Sequence, residues 1–470
     1  MPIDRILMSA DTPVRGAAPT AAPAPPTTWA ALRPLALRLH FYAGVLVAPL
    51  LFVAAATGLL YALSFQAENV LYRHELRVPA GDTVRPLTEQ VAAAKAAHPE
   101  GTVTAVWPSP ERGATTRVLM NAPGLGADES LAVFVNPYDN EVRGALPSTG
   151  TSGALPLRSW LSSFHADLKL GEVGRNYSEL AASWLWVVAL GGVLLWVGRR
   201  RRTRLLRPER GATGRRRTLS WHGSVGLWAA VGLVLLSATG LTWSRYAGEN
   251  VAELKDRLGG ATPTVAAATV AGMGGHEHHE GMAMPPSAPS ALTLDQVAAT
   301  ARAQGVRASV QITLPSQGKG FVVRERDSAF PVHLDSVAVD PADGRVMDVL
   351  RFSDYPLLAQ LTRFGIDAHM GVFLGLANQL ALAALAVALM ALIGWGYRMW
   401  WQRRPTKGGG FGVGRPQPRG AWRKVPWPVL LPLAALTAAV GWFIPLLGIS
   451  LLVFLAQDLL RGLRGRLRGA

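Results

Sequence analysis

The chain has 470 residues, of which 49% are hydrophobic and 17% charged, and its apolar residues form blocks long enough to cross a bilayer. Because it contains no cysteine, disulfides, thiolate metal sites, iron–sulfur clusters and covalently attached c-type haem are excluded. The net charge of +16 is concentrated in loops beside the apolar blocks, which indicates cytoplasmic loops of a membrane protein. The lipid bilayer is therefore an expected partner, and nucleic acid is not.

Residues 1–28 are rich in Ala, Pro and Thr, lack the apolar core of a cleaved signal, and are predicted to form a disordered cytoplasmic tail. The first predicted span, within residues 29–63, contains the apolar run HFYAGVLVAPLLFVAAATGLLYAL, which opens on His40. Residues 64–159 follow with one helical pattern and several short strand patterns. This segment is predicted to be a small α+β domain on the outer side of the membrane.

Residues 160–198 combine a short rim helix, WLSSFHADLKL, with the second span. The rim helix carries His165 and is followed by Gly171 and Gly174. Glycine can reverse the chain, so we expect the rim helix to fold back along the membrane surface.

The second half repeats this plan. An arginine-rich loop (199–220) leads to a third span (221–243), WHGSVGLWAAVGLVLLSATGLTW, which carries His222. In the second outer domain (244–355), LTLDQVAATARAQG echoes LTEQVAAAKAAHPEG, and SVAVDPADGRV echoes AVFVNPYDNEV. Such an echo indicates an internal duplication.

A second rim helix and the fourth span occupy residues 356–401. Here His369 lies six residues before Gly375, as His165 lies six before Gly171. The rim helices are therefore predicted to occupy equivalent places in the two halves.

A basic loop (402–425) precedes the last apolar block, residues 426–460, and the tail 461–470 is again basic. A single span would leave one basic flank outside, so we predict a hairpin of two short spans turning near Ile444-Pro445. That gives six spans with both termini cytoplasmic, and five is the alternative. The predicted fold is a membrane α-helical bundle, with four core spans in a two-fold repeat plus this hairpin, and two small periplasmic α+β domains.

Four histidines fall at repeat-related positions. His40 and His222 are each followed at +4 by glycine and at +17 and +18 by Thr-Gly. Imidazoles from two facing helices can fill both axial positions of haem, which leaves no place for oxygen and favours electron transfer. Topology pairs His40 with His222 near one face and His165 with His369 near the other, which predicts two bis-histidine b-type haems. The alternative is that the four histidines are interfacial anchors, but anchors need not recur at equivalent positions of a repeat.

Glycines in the spans allow two interpretations. They could let a porphyrin approach closely, or they could serve plain helix packing. The five glycines concerned are Gly44, Gly58, Gly226, Gly232 and Gly240.

The segment GMGGHEHHEGMAMPP, residues 272–286, has no counterpart in the first half. Thioethers and imidazoles suit copper, so a copper or iron site is predicted, with adventitious binding by a low-complexity insertion as the alternative. The candidate ligands are Met273, His276, His278, His279, Met282 and Met284.

The duplicated span that opens with His and closes with Ala-Thr-Gly, together with FHADLKLGEVGR and HMGVFLGLANQL, resembles the PepSY-associated transmembrane family over about Arg38 to Trp401. That family includes inner-membrane reductases of ferric siderophores and iron-regulated proteins. The resemblance implies two periplasmic PepSY domains and haem-supported reduction of a ferric complex. The matching positions are His165, Gly171, Gly174 and Arg175 in the first copy and His369, Gly375, Asn378 and Gln379 in the second.

These observations predict a bacterial inner-membrane oxidoreductase that passes electrons from a cytoplasmic or quinol donor through two haems to a periplasmic ferric siderophore complex. The sequence has no GxGxxG after a strand and no P-loop, so no nucleotide site is expected. One alternative is a haem-free PepSY scaffold that binds peptides or regulates a periplasmic protease. Another is a copper-handling membrane protein, because the His/Met-rich segment leaves copper open as the metal handled. A metallophore or copper permease is disfavoured, because no charged residue interrupts the cores of the first four spans.

Overall fold

A computed structural model describes residues 28–199, 205–269, 292–307, 309–316, 318–403 and 420–467. The predicted N-terminal tail, apart from Thr28, therefore lies outside the described residues, as does the whole His/Met-rich segment 272–286. Most of the second basic loop also lies outside them.

Within the described ranges, five helices are long and apolar enough to cross a membrane, so the chain is a multi-pass membrane protein. They are α2, α6, α7, α11 and the first part of α13, Pro445–Gly462; α12 is apolar but has 17 residues. The helices are α1 Thr28–Leu46, α2 Ala48–Leu71, α3 Arg73–Leu76, α4 Leu87–Ala97, α5 Pro156–Asp167, α6 Gly171–Val197, α7 Gly214–Leu241, α8 Tyr246–Arg257, α9 Leu294–Ala303, α10 Leu357–His369, α11 Leu376–Trp401, α12 Trp427–Phe443 and α13 Pro445–Leu467.

The first predicted span is two helices, because the chain is interrupted at Val47 between α1 and α2. Pro49 has no N–H to donate to the carbonyl of Val45, four residues earlier. The hydroxyl of Tyr397, on α11, donates to that carbonyl instead, at 2.9 Å. Helix α2 also continues past the predicted end of the span to Leu71.

Helices α2, α6, α7 and α11 form the four-helix core. Ala229 and Leu233 of α7 are buried against Leu392 of α11, and the hydroxyl of Ser237 on α7 donates to the carbonyl of Ala182 on α6 at 2.6 Å. The C-terminal helices meet at Ile444-Pro445, where the turn was predicted. Helix α13 then packs on α6.

The rim helices are α5 and α10, and each reverses into the following span. After α5, Leu168, Lys169 and Gly171 have positive φ values of 54°, 58° and 58°. A Cβ on Gly174 would lie 1.6 Å from the carbonyl oxygen of Asp167, so this position requires glycine. The fold-back predicted from the glycines is present.

The strands of the two halves form one sheet, where we expected two separate small domains. The order is β4-β3-β2-β1-β5-β6-β7-β8, with all neighbours antiparallel. A first strand left unpaired in each half would be an exposed edge, and pairing β1 with β5 removes both edges. The strands are β1 Thr102–Trp107, β2 Thr116–Asn121, β3 Glu129–Val135, β4 Val142–Thr149, β5 Val310–Thr313, β6 Phe321–Glu325, β7 Ser336–Val339 and β8 Val346–Leu350.

The two halves also share a hydrophobic core on the α4 and α9 face of the sheet. Val106 of β1, Ile312 of β5 and Val297 of α9 are fully buried in one cluster. The carboxylate of Asp295, in the first turn of α9, accepts a hydrogen bond from the backbone N–H of Leu87, the first residue of α4. The sheet is therefore one continuous layer at one end of the helix bundle.

Candidate functional site

Four histidines form two pairs in the helix bundle. The loop-end pair is His40 of α1 and His222 of α7, whose ring centroids are 6.3 Å apart with ring planes at 77°. Both side chains are partly buried. Nδ1 of His40 donates to the carbonyl of Val188 at 3.1 Å, and Nδ1 of His222 donates to the carbonyl of Leu392 at 3.0 Å. Each imidazole is thus fixed by the backbone of the neighbouring span.

The sheet-end pair is His165 of α5 and His369 of α10, with ring centroids 6.5 Å apart and ring planes at 52°. Nδ1 of His165 lies 2.8 Å from the hydroxyl of Thr57, and Nδ1 of His369 lies 2.7 Å from that of Thr239. These threonines are the ones that follow the first histidines at +17. The repeated Thr-Gly pattern therefore serves the second pair of histidines.

The hydrogen bonds fix the same tautomer at all four histidines. Thr57 donates its own hydroxyl hydrogen to helix carbonyls, including that of Val53 at 2.9 Å, and Thr239 does the same to Leu235 at 2.7 Å. Each hydroxyl can then only accept a hydrogen bond from its histidine. The carbonyls of Val188 and Leu392 can likewise only accept one. Nδ1 therefore carries the proton, and the lone pair is on Nε2, the atom left to bind a metal.

The ring separations match a metal held between two imidazoles. A metal bound to one nitrogen of each ring, at about 2.0–2.1 Å, would place the ring centroids roughly 6.3 Å apart. The observed values are 6.3 and 6.5 Å. No group of three or more His, Cys, Asp or Glu side chains that could hold a metal occurs among the residues described. Two protein ligands suit a metal whose other ligands belong to an organic cofactor.

A cavity of about 260 Å³ adjoins the loop-end pair, lined by both histidines, by glycines and by apolar side chains. A Cβ on Gly44 or Gly396 would meet no neighbouring atom within 4 Å, so these glycines border open space. One end of the cavity is lined by four arginines, which suits the two propionate groups of a haem. They are Arg33, Arg199, Arg215 and Arg403.

The other span glycines have different roles. A Cβ on Gly58 would lie 3.2 Å from Cε1 of His165, and one on Gly240 would lie 3.4 Å from Cε1 of His369, so both make room for an imidazole. A Cβ on Gly232 would lie 2.6 Å from Leu385, which is plain helix packing. Gly226, like Gly44, lines the cavity.

The two pairs lie near opposite ends of the bundle. Helix α7 carries His222 of the first pair and Thr239, which contacts the second, and these residues are about 25 Å apart at the α-helical rise. A bilayer core is about 30 Å thick. The distance between the two pairs is therefore comparable to the thickness of a bilayer core.

The four histidines are predictable from the sequence, whereas the groups that anchor them were not predicted. The carbonyls of Val188 and Leu392 carry no residue-type signal, because any residue supplies a carbonyl. Thr57 and Thr239 did carry one, since they recur at the same distance from a histidine. The predicted metal ligands in the His/Met-rich segment, from Met273 to Met284, lie outside the described residues.

Residues 37–403 match the family described as the PepSY-associated TM region, which covers more than half of the chain. The chain belongs to this family, and the resemblance seen in the sequence is confirmed. No curated protein matches the chain. The matched region includes all four paired histidines and the whole sheet.

Proposed function

We propose that this chain is a di-haem membrane oxidoreductase that carries electrons across the bilayer to reduce a periplasmic ferric complex, such as a ferric siderophore. One observation carries the proposal. Two pairs of imidazoles, each held in the metal-binding tautomer and at metal-bridging separation, lie near opposite ends of an apolar bundle.

His40 with His222, and His165 with His369, would each hold one b-type haem. Bound haem supplies reversible one-electron chemistry. The four histidines would supply the nitrogen ligands of the two haems, and their Nδ1 hydrogen bonds keep the rings oriented. The apolar side chains around the cavity exclude water.

Charge supports an orientation. The arginines beside the loop-end pair lie at the ends of spans, and the positive-inside rule puts them in the cytoplasm. The sheet would then lie in the periplasm of a bacterium, with the chain in the inner membrane. Electrons would enter from a cytoplasmic or quinol donor. Reduction weakens the binding of iron to hard oxygen ligands, so the ferrous ion would be released.

The proposal is tested by a reduced-minus-oxidised spectrum and a haem count on the purified chain. We expect two b-type haems per chain and, in the dithionite-reduced protein, reoxidation by a ferric chelate with ferrous iron captured by ferrozine. A His74→Ala variant is the control for the loss of a histidine, because His74 is exposed and bonded to Arg143 outside the bundle. A colourless protein, or haem that a ferric chelate fails to reoxidise, would contradict the proposal.

A further inference from the structure

A second cavity, which is polar and has a volume of about 160 Å³, lies where the two halves of the sheet meet. Trp107 ends β1 and is 4% exposed, yet its indole Nε1 has no hydrogen-bond partner within the described part of the chain. Arg326 follows β6, and its guanidinium carbon lies 3.1 Å from the centroid of the Trp107 ring. The guanidinium carbon of Arg117 lies 5.5 Å from the same ring. All three residues line the cavity.

The positive charge of this cavity is not balanced. Arg77, also in its lining, pairs with Glu111 at 2.6 Å, and Arg158 behind it pairs with Glu68 at 3.0 Å. Arg117 and Arg326 form no salt bridge with any described residue. Nε of Arg326 is buried and has no hydrogen-bond partner there either.

Burial and the neighbouring arginines lower the pKa of Arg117 to about 10 and that of Arg326 to about 9. Both shifts have the same sign, because the charged form loses its hydration and is repelled by like charges. A bound anion would oppose both effects, because its negative charge attracts the guanidinium groups. Arginine presents a planar pair of N–H groups that fits a carboxylate in a bidentate way.

We propose that this cavity binds a carboxylate group of an anionic ferric chelate, through the guanidinium groups of Arg117 and Arg326 and the indole N–H of Trp107. The proposal names the substrate class and rests on the proposed function. It also places the substrate on the side of the sheet-end pair. Arg117 and Arg158 both donate to the carbonyl of Gly153 at 3.3 Å, and Arg158 precedes His165 on α5 by two helical turns, about 10 Å.

The test measures binding without reduction. Gallium citrate serves as a redox-inactive substitute for a ferric carboxylate chelate, and metal-free citrate and a gallium trihydroxamate chelate without carboxylates serve as comparisons. Isothermal titration uses the full-length chain in detergent. We expect saturable binding of gallium citrate, weakened about tenfold or more in Arg326→Gln and Arg117→Gln, since a hydrogen bond to a charged group contributes about 1.5–3 kcal/mol.

Arg302→Gln is the matched control, because it removes one charge from an exposed site on α9. Arg326→Lys and Arg117→Lys keep the positive charge and remove the planar pair of N–H groups. They should bind more weakly than the wild type and more tightly than the glutamine variants. Thermal unfolding checks that each variant is folded.

Equal affinity in the wild type and the two glutamine variants overturns the proposal, as does equal loss in Arg302→Gln. Binding of citrate with exclusion of gallium citrate, or tighter binding of the trihydroxamate chelate, overturns the assignment to a carboxylate chelate. A chain without haem that still binds gallium citrate through Arg326 refutes the proposed function and leaves the anion site standing. If the chain reduces ferric chelates but all variants bind gallium citrate equally, the anion site is refuted and the proposed function stands.

Discussion

The loop-end and sheet-end histidine pairs have nearly the same ring separation but are anchored by different chemistry. His40 and His222 donate to main-chain carbonyls of the neighbouring spans, whereas His165 and His369 donate to threonine hydroxyls. A carbonyl anchor cannot be removed by substituting a side chain, so the loop-end pair depends on helix placement. A hydroxyl anchor depends on one atom. The sheet-end pair is therefore the one that single substitutions can tune.

The largest expected effect comes from removing the ligands. His222→Ala and His369→Ala should each remove one of two haems, and the double variant should be colourless, because sites about 25 Å apart act independently. Haem counts on the two single variants and the double variant check this. Loss of both haems from one single variant would mean that the pairs are not separate sites.

Filling the cavity beside the loop-end pair tests whether its open space holds the cofactor. Gly44→Leu should remove most of the haem at that pair and leave the other haem in place, because the new side chain would occupy the cavity that Gly44 borders. The measurement is the haem content of the purified variant. Gly462→Leu is the matched control, since it also faces open space but lies on α13. If Gly44→Leu kept both haems, the cavity would not be part of the haem site.

Removing the hydroxyl anchors should affect the sheet-end pair alone. Thr57→Val and Thr239→Val keep the side-chain shape and lose the acceptor, so we expect haem affinity at that pair to fall by about 10- to 100-fold. Transfer of haem to apomyoglobin measures this. Thr437→Val is the control, because the hydroxyl of Thr437 donates to the carbonyl of Leu433 on its own helix. If the loop-end haem were lost instead, the assignment of anchors would be wrong.

The smallest expected effect concerns the break between α1 and α2. Tyr397→Phe removes the hydrogen bond to the carbonyl of Val45 and should lower the free energy of unfolding by about 1 kcal/mol. It should also shift the midpoint potential of the loop-end haem slightly, because α1 carries His40. Thermal unfolding and a redox titration measure the two effects. A shift confined to the sheet-end haem would contradict this account.

The sequence was informative where periodicity and residue type determine the structure. Gly171 and Gly174 predicted the reversal after α5, and the register of His40 and His222 predicted that their rings would meet. Both rest on local or repeated patterns.

The joining of the two sheets could not be predicted in the same way. Strands of four to six residues, such as β1 and β5, alternate in a manner that fits many partners, and pairing is decided by tertiary structure. The helix break at Val47 has a sequence signal in Pro49, but the rescue of the Val45 carbonyl by Tyr397 links residues far apart in the chain. The carbonyl anchors of His40 and His222 also require the fold to be known.

The joint between β1 and β5 also determines how the two halves can separate. Two residue pairs face each other across this joint, Ala105 with Thr313 and Val106 with Ile312, whereas seven pairs face each other between β3 and β4. Few backbone hydrogen bonds resist opening there, but Val106 and Ile312 are 0% exposed and would both meet water. Parting the halves is thus an all-or-none event governed by hydration of apolar surface, so the amides of this short joint should exchange with deuterium as slowly as those of the long hairpins.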